Sequence, residues 1–234
     1  MEELIRAGRV AINGRAAVLG NRVDPNTDAV SVDGVPVPVH PGLRHLVLNK
    51  PRGMTTTLSD PHASRTLRDV LPSGPRVFPV GRLDRDSEGL LLLTNDGTLA
   101  HRLQHPRYGV EKEYLVEVQG SIPRAAVRRL TDGLELEDGT ARAIRASAIQ
   151  REPGRSALSM VMGEGRKREV RRMMAALGYP VQRLVRVRFG PVRLGDLRPE
   201  AVRPLSREET MGLYRAVGLS QAVPGGRAGT RDSR

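Results

Sequence analysis

The segment from Val80 to Gly97 constrains the fold more than any other part of the chain. Three acids stand at alternate positions, Asp84, Asp86 and Glu88, and four leucines follow at 90–93. A short apolar run without alternation predicts a strand that is buried on both faces. Acids beside such a strand would be partly withdrawn from water, which changes their chemistry. The segment therefore predicts a core strand with candidate functional carboxylates at its entrance.

Composition narrows the class of protein. The 234 residues are 38% hydrophobic and 3% aromatic, with no Trp, so the chain can form one sizeable domain with an aliphatic core and a smaller one. The net charge is +12, from 38 basic and 26 acidic residues, and only three of the basic residues are Lys. The planar fork of Arg suits phosphate groups. The charge balance therefore favours a polyanionic partner.

Several protein classes are excluded or disfavoured. The sequence has no Cys, which excludes disulfides, thiolate zinc sites and Cys nucleophiles. Residues 1–6 lack the basic start and apolar run of a signal peptide. No apolar stretch approaches the length of a membrane span. We expect a cytoplasmic protein without a membrane partner.

The first forty residues predict a small module with few large apolar side chains. The pattern predicts a helix over 2–7, and turns at Asn13-Gly14 and Asp33-Gly34 separate short strands. We expect these strands at 10–12, 18–23 and 29–32, followed by a stiff linker that contains Pro36, Pro38 and Pro41. A segment of this size forms a poor independent core.

The longer second segment predicts a sheet with flanking helices. Its strands do not alternate regularly with helices, which favours an α+β fold over a doubly wound one. The expected strands are 46–48, 90–93, 110–118, 140–149, 157–162 and 181–189, and the expected helices are 66–71, 98–103, 123–130, 167–177 and 206–217. We divide the chain into a module and linker at 1–42, a main domain at 43–220 and a disordered basic tail at 221–234.

The three alternating acids have three interpretations. If residues 82–88 are extended, Asp84, Asp86 and Glu88 point to the same side of the strand. They could form a solvated strand edge, a site for a divalent cation, or a place where one carboxylate is catalytic beside Arg82 or another Arg. No His lies near them to complete a transition-metal site. The spacing alone leaves all three open.

A basic run forms a second candidate site. Five basic residues occupy the seven positions 166–172, and residues 151–193 hold eleven basic and three acidic residues. On a helix, Val170, Met173, Met174 and Leu177 would form an apolar stripe, with basic residues on the other face. These basic residues could face solvent, but their number favours a groove for a polyanion.

Aromatic and basic residues on the predicted strands are further candidates. Tyr114 shares a strand face with Lys112, and it could be a core tyrosine or a ring that stacks on an extruded base. On strand 181–189 the alternation predicts that Leu184, Arg186 and Arg188 share one face.

These motifs resemble the bacterial ribosomal RNA pseudouridine synthases, in the family that comprises an A type for the small ribosomal subunit and B, E and F types for the large one. The resemblance is strongest to the B type, which acts on 23S ribosomal RNA, and it spans about residues 3–219. It is carried by Gly-Arg-Leu-Asp at 81–84 with Ser-x-Gly-Leu-Leu at 87–91, and by the motifs at 49–53, 112–114, 164–172 and 184–190.

The resemblance implies a fold and a set of site residues. We expect the α+β pseudouridine synthase fold, a mostly antiparallel central sheet flanked by helices, with a partial N-terminal S4-like module whose first helix would precede Glu2. The implied catalytic residues are Asp84 as nucleophile, Tyr114 as the stacking ring, and Arg171 as the cation that pairs with Asp84 and favours its ionised form. The residues expected to bind RNA are Lys50, Arg82, Arg85, Lys112, Arg166, Arg168, Arg172, Arg186 and Arg188.

The implied function is isomerisation of a uridine in ribosomal RNA to pseudouridine. The reaction needs no redox step or external group, so we expect no cofactor and no metal. The expected partner is ribosomal RNA, 23S rather than 16S, bound by a monomer. A non-catalytic ribosome-binding protein and a metal-dependent RNA-processing enzyme remain as alternatives.

Overall fold

A computed structural model describes residues 2–23, 28, 30–37, 42–59, 65–152 and 154–219. The chain divides into two compact units, residues 1–43 and residues 44–234. The predicted disordered tail at 221–234 lies outside the described residues.

The N-terminal unit is a small antiparallel sheet with one short helix. Helix α1 is Glu2–Arg6, and the strands are β1 Val10–Ile12, β2 Arg15–Ala16, β3 Val30–Val32 and β4 Val35–Val37, in the order β2-β1-β3-β4. Both predicted hairpin turns form. Asn13 and Asp33 each adopt a positive φ of 51°, and a glycine follows each of them, as tight hairpins require. An ion pair between Arg9 and Asp33 links the turn after β3 to the chain just before β1.

Two sequence predictions for this unit are wrong. Residues 18–23 form no strand and contain a turn at 19–20. Pro36, predicted to lie in a linker, is in β4, where it pairs with Ser31 at the edge of the sheet. An edge strand tolerates proline because no further strand needs its missing N–H. Pro38 and Pro41 lie outside the described residues.

The second unit is built on one large sheet. Its strands are β5 His45–Lys50, β6 Phe78–Pro79, β7 Glu88–Thr94, β8 Lys112–Gln119, β9 Leu134–Leu136, β10 Gly139–Ala141, β11 Arg145–Glu152, β12 Arg155–Met162, β13 Val181–Phe189, β14 Val192–Arg193 and β15 Val202–Pro204. Its helices are α2 Gly97–Gln104, α3 Arg124–Asp132, α4 Glu169–Ala176 and α5 Arg207–Ala216, with short 3₁₀ turns at Leu67–Asp69 and Pro106–Tyr108.

The order of the main sheet is β11-β12-β8-β13-β7-β5-β15. Every neighbouring pair is antiparallel except β13 and β7, which run parallel. Strands β9 and β10 form a separate hairpin. The predicted α+β class with a mostly antiparallel sheet is confirmed.

The leucine run is the centre of this sheet. Leu90 and Leu92 pack on one face in a cluster with residues of α2 and α5, and Leu91 and Leu93 pack on the other face with Met54. All four leucines are at most 2% exposed, so the strand is buried on both faces, as its sequence predicts. Burial of each such side chain contributes about 1.5–3 kcal/mol relative to exposure. The strand is therefore a rigid support for the acids that precede it.

Most of the predicted helices form, and one strand is shorter than predicted. Ser206 and Glu209 form the expected capping box at the start of α5, and Asp96 caps α2 by accepting from the Leu99 amide. The strand predicted over 140–149 is broken, because β10 ends at Ala141 and β11 begins at Arg145. The helix predicted over 66–71 is a single 3₁₀ turn.

The parallel contact between β7 and β13 joins the two halves of the sheet. It consists of two residue pairs, Val185 with Glu88 and Arg186 with Gly89. Gly89 has a φ of +100°, and a Cβ atom there would lie 2.4 Å from the backbone oxygen of Arg186. Only glycine permits this close approach of the two strands.

Within the described residues, no helix is long and apolar enough to cross a bilayer.

Candidate active site

A cleft opens where the two halves of the sheet meet. It has a volume of about 650 Å³, and its walls come from the loop before β7, from β8 and β13, and from the loop that leads into α4. A shallower cavity of about 410 Å³ lies beside it, and both are lined by Arg82, Leu83, Asp84 and Arg168. The site is thus assembled from segments that are far apart in sequence.

The loop before β7 presents its acids differently from the sequence prediction. Residues 85 and 86 form a turn, which the Ser87 amide closes by donating to the Asp84 carbonyl at 3.0 Å. The chain is therefore not extended at residues 85 and 86, and strand alternation does not set the directions of Asp84, Asp86 and Glu88. Leu83 is buried and its amide and carbonyl bond the Thr56 hydroxyl, which fixes the loop next to Asp84.

Asp84 lies at the junction of the two cavities. Its side chain is 37% exposed, and the nearest cation is the Arg168 Nη1 at 3.8 Å. Within the described part of the chain the carboxylate accepts no hydrogen bond, so both oxygens are free to contact a ligand.

Asp86 binds two arginines. It accepts two hydrogen bonds from Arg168, at 3.0 and 3.1 Å, and lies 3.4 Å from the Arg171 Nη2. Burial acts to raise the pKa of the Asp86 carboxyl, but the Arg168 hydrogen bonds and the charges of Arg171 and Arg168 outweigh it and hold the pKa below its usual value. The motifs of the resemblance do not include Asp86, yet this acid orders the cations around Asp84.

Arg171 does not pair with Asp84 in this structure, contrary to the expectation. Its guanidinium donates to the Asp86 carbonyl at 2.9 Å and to the Val181 carbonyl at 3.2 Å. Burial lowers its pKa from the ordinary value, and the nearby charge of Asp86 partly opposes that shift. Arg171 therefore braces the loop that carries Asp84, while Arg168 is the closer cation.

Lys50 was expected to bind RNA, but it is fully buried. Its Nζ donates to the carbonyls of Pro51 and Ser87 at 2.9 and 2.8 Å. Burial lowers its pKa to about 8, partly offset by the charges of Glu88, Asp86 and Asp84. A side chain enclosed in this way cannot reach a phosphate. It ties β5 to the loop before β7.

A second wall of the cleft is aromatic and basic. Tyr114, Lys112, Arg186 and Phe189 all line the cleft, and the Lys112 Nζ and the Arg186 guanidinium lie 5.4 and 5.2 Å from the centre of the Phe189 ring. Burial and the nearby Arg186 charge lower the pKa of Lys112 to about 8. Arg186 is buried and donates to the Leu90 carbonyl at 2.7 Å.

Arg188 points away from this wall, contrary to the alternation of the sequence. An irregularity in the pairing between Arg186 and Arg188 shifts the register of β13 on β8, so that Arg188 stands opposite Glu113. Its guanidinium bonds Glu113 at 3.0 Å and Glu111 at 2.9 Å. Arg188 is thus neutralised on the other face of the sheet.

The basic run at 166–172 is largely paired with acids. Arg166 donates to Glu169 at 3.0 Å and to Asp138, and Arg172 donates to Asp138 at 2.7 and 2.8 Å. Arg168 is the left-handed residue before the first turn of α4 and not part of the helix face. Burial and the neighbouring Glu164 raise the pKa of Glu169. These contacts hold the loop over the cleft. Arg166 and Arg172 are therefore not free to bind phosphates, contrary to the sequence prediction.

Other cations remain available at the cleft. In the described ranges Arg52, Arg82 and Lys167 are exposed and form no ion pair, and each lines at least one of the two cavities. Arg85 is exposed and, among the residues that the structure describes, its side chain donates to the Gly53 carbonyl alone, at 3.2 Å. Sequence reasoning named Arg82 and Arg85 but missed Arg52 and Lys167, although both lie inside its own motifs.

The carboxylates at this site do not assemble into a metal site. Asp86 is held by Arg168 and Arg171, and Glu88 accepts from Arg183 at 3.1 and 3.0 Å, so arginines already occupy both carboxylates. Among the residues that the structure describes, no group of three potential ligands is close enough to hold a metal ion.

Comparisons with known proteins agree with this arrangement. A crystal structure described as a pseudouridylate synthase superposes with a TM-score of 0.66 at 28% identity, covering 91% of each chain. A Mycobacterium leprae protein named as an uncharacterized RNA pseudouridine synthase is 47% identical over 93% of this chain and 87% of its own length. The Vibrio cholerae ribosomal large subunit pseudouridine synthase B is 44% identical over 85% of this chain and 64% of its own length.

The mixed sheet, with its cleft at the central parallel contact, is the pseudouridine synthase fold, as the structural similarity shows. The family model of the RNA pseudouridylate synthases matches residues 44–176. The chain belongs to this family, and it is an RNA pseudouridine synthase, an isomerase. Family membership supports neither the non-catalytic alternative nor the metal-dependent one.

Proposed function

We propose that the chain isomerises a specific uridine of 23S ribosomal RNA and that Asp84 carries out the chemistry. The observation that supports this role is the state of the Asp84 carboxylate. It lies in the cleft without a hydrogen bond inside the described chain, whereas Asp86 and Glu88 nearby are held by arginines. A reacting carboxylate needs at least one free oxygen.

The chemistry requires a carboxylate near the sugar of the target nucleotide. In the reaction the N1–C1′ bond breaks, the uracil turns over, and a C5–C1′ bond forms while a proton leaves C5 and one is taken up at N1. Asp84 either attacks C1′, as the nucleophile of a retaining glycosidase does, or removes the C2′ proton to give a glycal. Either route uses the carboxylate form of Asp84, and the Arg168 Nη1 lies 3.8 Å from it. No cofactor enters either route.

The aromatic and basic wall suits the uracil ring. We propose that Tyr114 stacks on the extruded base, because its ring lines the same cleft as Asp84. Extrusion of a base costs a few kcal/mol, and stacking and phosphate contacts offset this cost. Lys112 and Arg186 also line the cleft, and we propose that their cations contact the carbonyl oxygens of the base.

The substrate assignment draws on a relative. The Vibrio cholerae protein is named for the large ribosomal subunit, and this chain covers 64% of its length. We propose 23S ribosomal RNA as the substrate in the cytoplasm, a monomeric enzyme, and an S4-like role in RNA binding for residues 1–42. The net charge of +12 supports a polyanionic substrate.

The test is pseudouridine mapping of 23S and 16S RNA from cells that lack this protein. One 23S uridine should remain unmodified, and the wild-type gene should restore it. A strain carrying Asp84→Asn should not restore it, although the variant accumulates and binds RNA. The matched control is Asp196→Asn, which neutralises an exposed acid in a turn outside the cleft and should restore modification. Restoration by Asp84→Asn would refute the role of Asp84, and a missing pseudouridine confined to 16S RNA would refute the substrate.

A further inference from the structure

An exposed basic surface lies at the end of α2. It consists of His101 and His105 with Arg107, supported from below by Tyr108, and is called the α2 patch here. The His101, His105 and Arg107 side chains are exposed, whereas Tyr108 is half-buried and packs against the core cluster beneath α2. None of these residues takes part in the reaction described above.

The planar groups of the α2 patch are close to one another. The rings of His101 and His105 are 5.7 Å apart, and the His105 ring meets the Tyr108 ring edge-on at 6.2 Å. The Arg107 guanidinium lies 5.1 Å from the centre of the Tyr108 ring. The His105 Nδ1 accepts from the Arg107 amide, which fixes the turn that carries both side chains. Imidazole rings and guanidinium planes are surfaces on which unpaired bases stack.

The α2 patch is positive and has no acid of its own. No Asp or Glu occurs in residues 97–110, whereas the arginines near α4 are matched by Asp86, Asp138 and Glu169. Arg107 forms no ion pair within the described ranges. The patch therefore offers a cation that is not neutralised by the protein, next to exposed rings. This combination suits a single-stranded nucleic acid more than a protein or a duplex.

The α2 patch begins at the rim of the cleft. Gln104, between the two histidines in sequence, lines the cleft. Its Cγ would lie 3.7 Å from a Cβ atom at Gly81, which is the start of the loop that carries Asp84. A strand that enters the cleft with one nucleotide extruded can therefore pass over Gln104 onto the patch without leaving the protein surface.

We propose that the α2 patch binds unpaired nucleotides adjacent to the target uridine, with bases stacked on His101, His105 and the Arg107 guanidinium. The proposal deepens the proposed function, because it assigns the path of the substrate strand outside the cleft. It implies that the enzyme recognises its uridine in a segment that is single-stranded on at least one side.

The test measures binding of a labelled 12-nucleotide oligouridine by fluorescence anisotropy, without turnover. The double variant His101→Ala with Arg107→Ala should raise the Kd about tenfold, because the loss of one stacked base and one phosphate contact is of this size. Arg107→Ala alone should make the dependence of log K on log salt shallower by about 0.7. The matched control, Arg128→Ala, removes the same charge from an exposed position on α3 outside the cleft and should change neither quantity.

A second ligand separates stacking from simple charge attraction. The double substitution should lower the affinity of the protein for a 12-base-pair RNA duplex by less than about twofold, since the bases of a duplex are not available for stacking. Equal losses for both ligands, or a Kd for the double variant equal to that of Arg128→Ala, would overturn the proposal. Because the assay needs no reaction, failure of the role proposed for Asp84 would leave this result unchanged.

Discussion

Asp84 and Asp86 are two residues apart but should respond in opposite ways to the same substitution. Asp84→Asn removes a carboxylate that is free in the cleft, and Asp86→Asn removes one that holds Arg168 and Arg171. We expect Asp84→Asn to abolish turnover with little change in stability. We expect Asp86→Asn to lower stability clearly while some turnover remains.

The magnitudes follow from the contacts. Hydrogen bonds to charged groups contribute about 1.5–3 kcal/mol. The Asp86 and Arg168 side chains are 35% and 44% exposed, so screening by solvent reduces the value of their paired contact to about 1 kcal/mol. Arg171 is 11% exposed, and the loss of its neighbouring negative charge adds about 0.5–1 kcal/mol. The contact of Asp84 with Arg168 at 3.8 Å contributes at most about 0.5 kcal/mol.

Thermal unfolding followed by circular dichroism, with tritium release from RNA labelled at uridine C5, measures both effects. For a unit of this size a loss of about 1.5–2 kcal/mol lowers the Tm by about 3–8 °C. Asp84→Asn should change the Tm by less than about 2 °C. Because the pKa of Asp86 is lowered in the folded state, its contribution is complete above the unfolded value of about 3.9 and is lost as the pH falls through the folded value. The Tm difference should therefore be present at neutral pH and shrink below a pH of about 4.

Two results would contradict this reasoning. Equal Tm losses for the two variants would show that Asp86 does not order the arginines. Full turnover in Asp84→Asn, with none in Asp86→Asn at a temperature where both are folded, would exchange the roles of the two acids.

Other substitutions test the sheet, the buried lysine and the charges at the cleft. Gly89→Ala should prevent folding or cost at least about 3 kcal/mol, because its Cβ atom would lie 2.4 Å from the Arg186 oxygen; a urea midpoint close to that of wild type would contradict this. Since the pKa of Lys50 is lowered to about 8 from 10.5, wild type should gain stability as the pH rises between these values. Lys50→Met should gain less stability than wild type over this pH range. An equal gain in the two proteins, measured from urea unfolding at a pH of about 7.5 and 9.5, would refute the role of Lys50. Lys167→Ala should make the salt dependence of RNA binding shallower by about 0.7, whereas Arg172→Ala, whose charge is matched by Asp138, should change it less, and equal slopes would count against these assignments.

Local sequence signals predicted the elements that depend on local physics. The leucine run specified its own burial, the two turns before glycine specified hairpins, and Ser206 with Glu209 specified the start of α5. Each of these features depends on residues within four or five positions of one another, so the local sequence is sufficient to determine it.

Features that depend on distant partners were not predictable in this way. The partner of Arg172 is Asp138, 34 residues away, and nothing in the pattern around either residue indicates the contact. Arg168, and not Arg171, is the cation nearest to Asp84 because residues 85 and 86 form a turn. A run of alternating acids does not reveal that turn. The register shift before Arg188 places its side chain on the other face of the sheet, and no glycine or proline in β13 indicates the shift. Counts of charged residues predicted a positively charged surface, but not which cations are already neutralised by acids.

The close approach at Gly89 has a consequence for redesign of the enzyme. Asp84 precedes β7, in one half of the sheet, and Tyr114 belongs to β8, in the other half. The two halves meet through two residue pairs, so the width available to a nucleobase depends on how closely β7 and β13 approach, and not only on the loops around the opening. Loop exchange would alter which RNA sequences are accepted, whereas acceptance of a bulkier base analogue would require a wider spacing between these two strands. Engineering of substrate scope in this fold therefore has two independent targets, one in the loops and one in the backbone of the sheet.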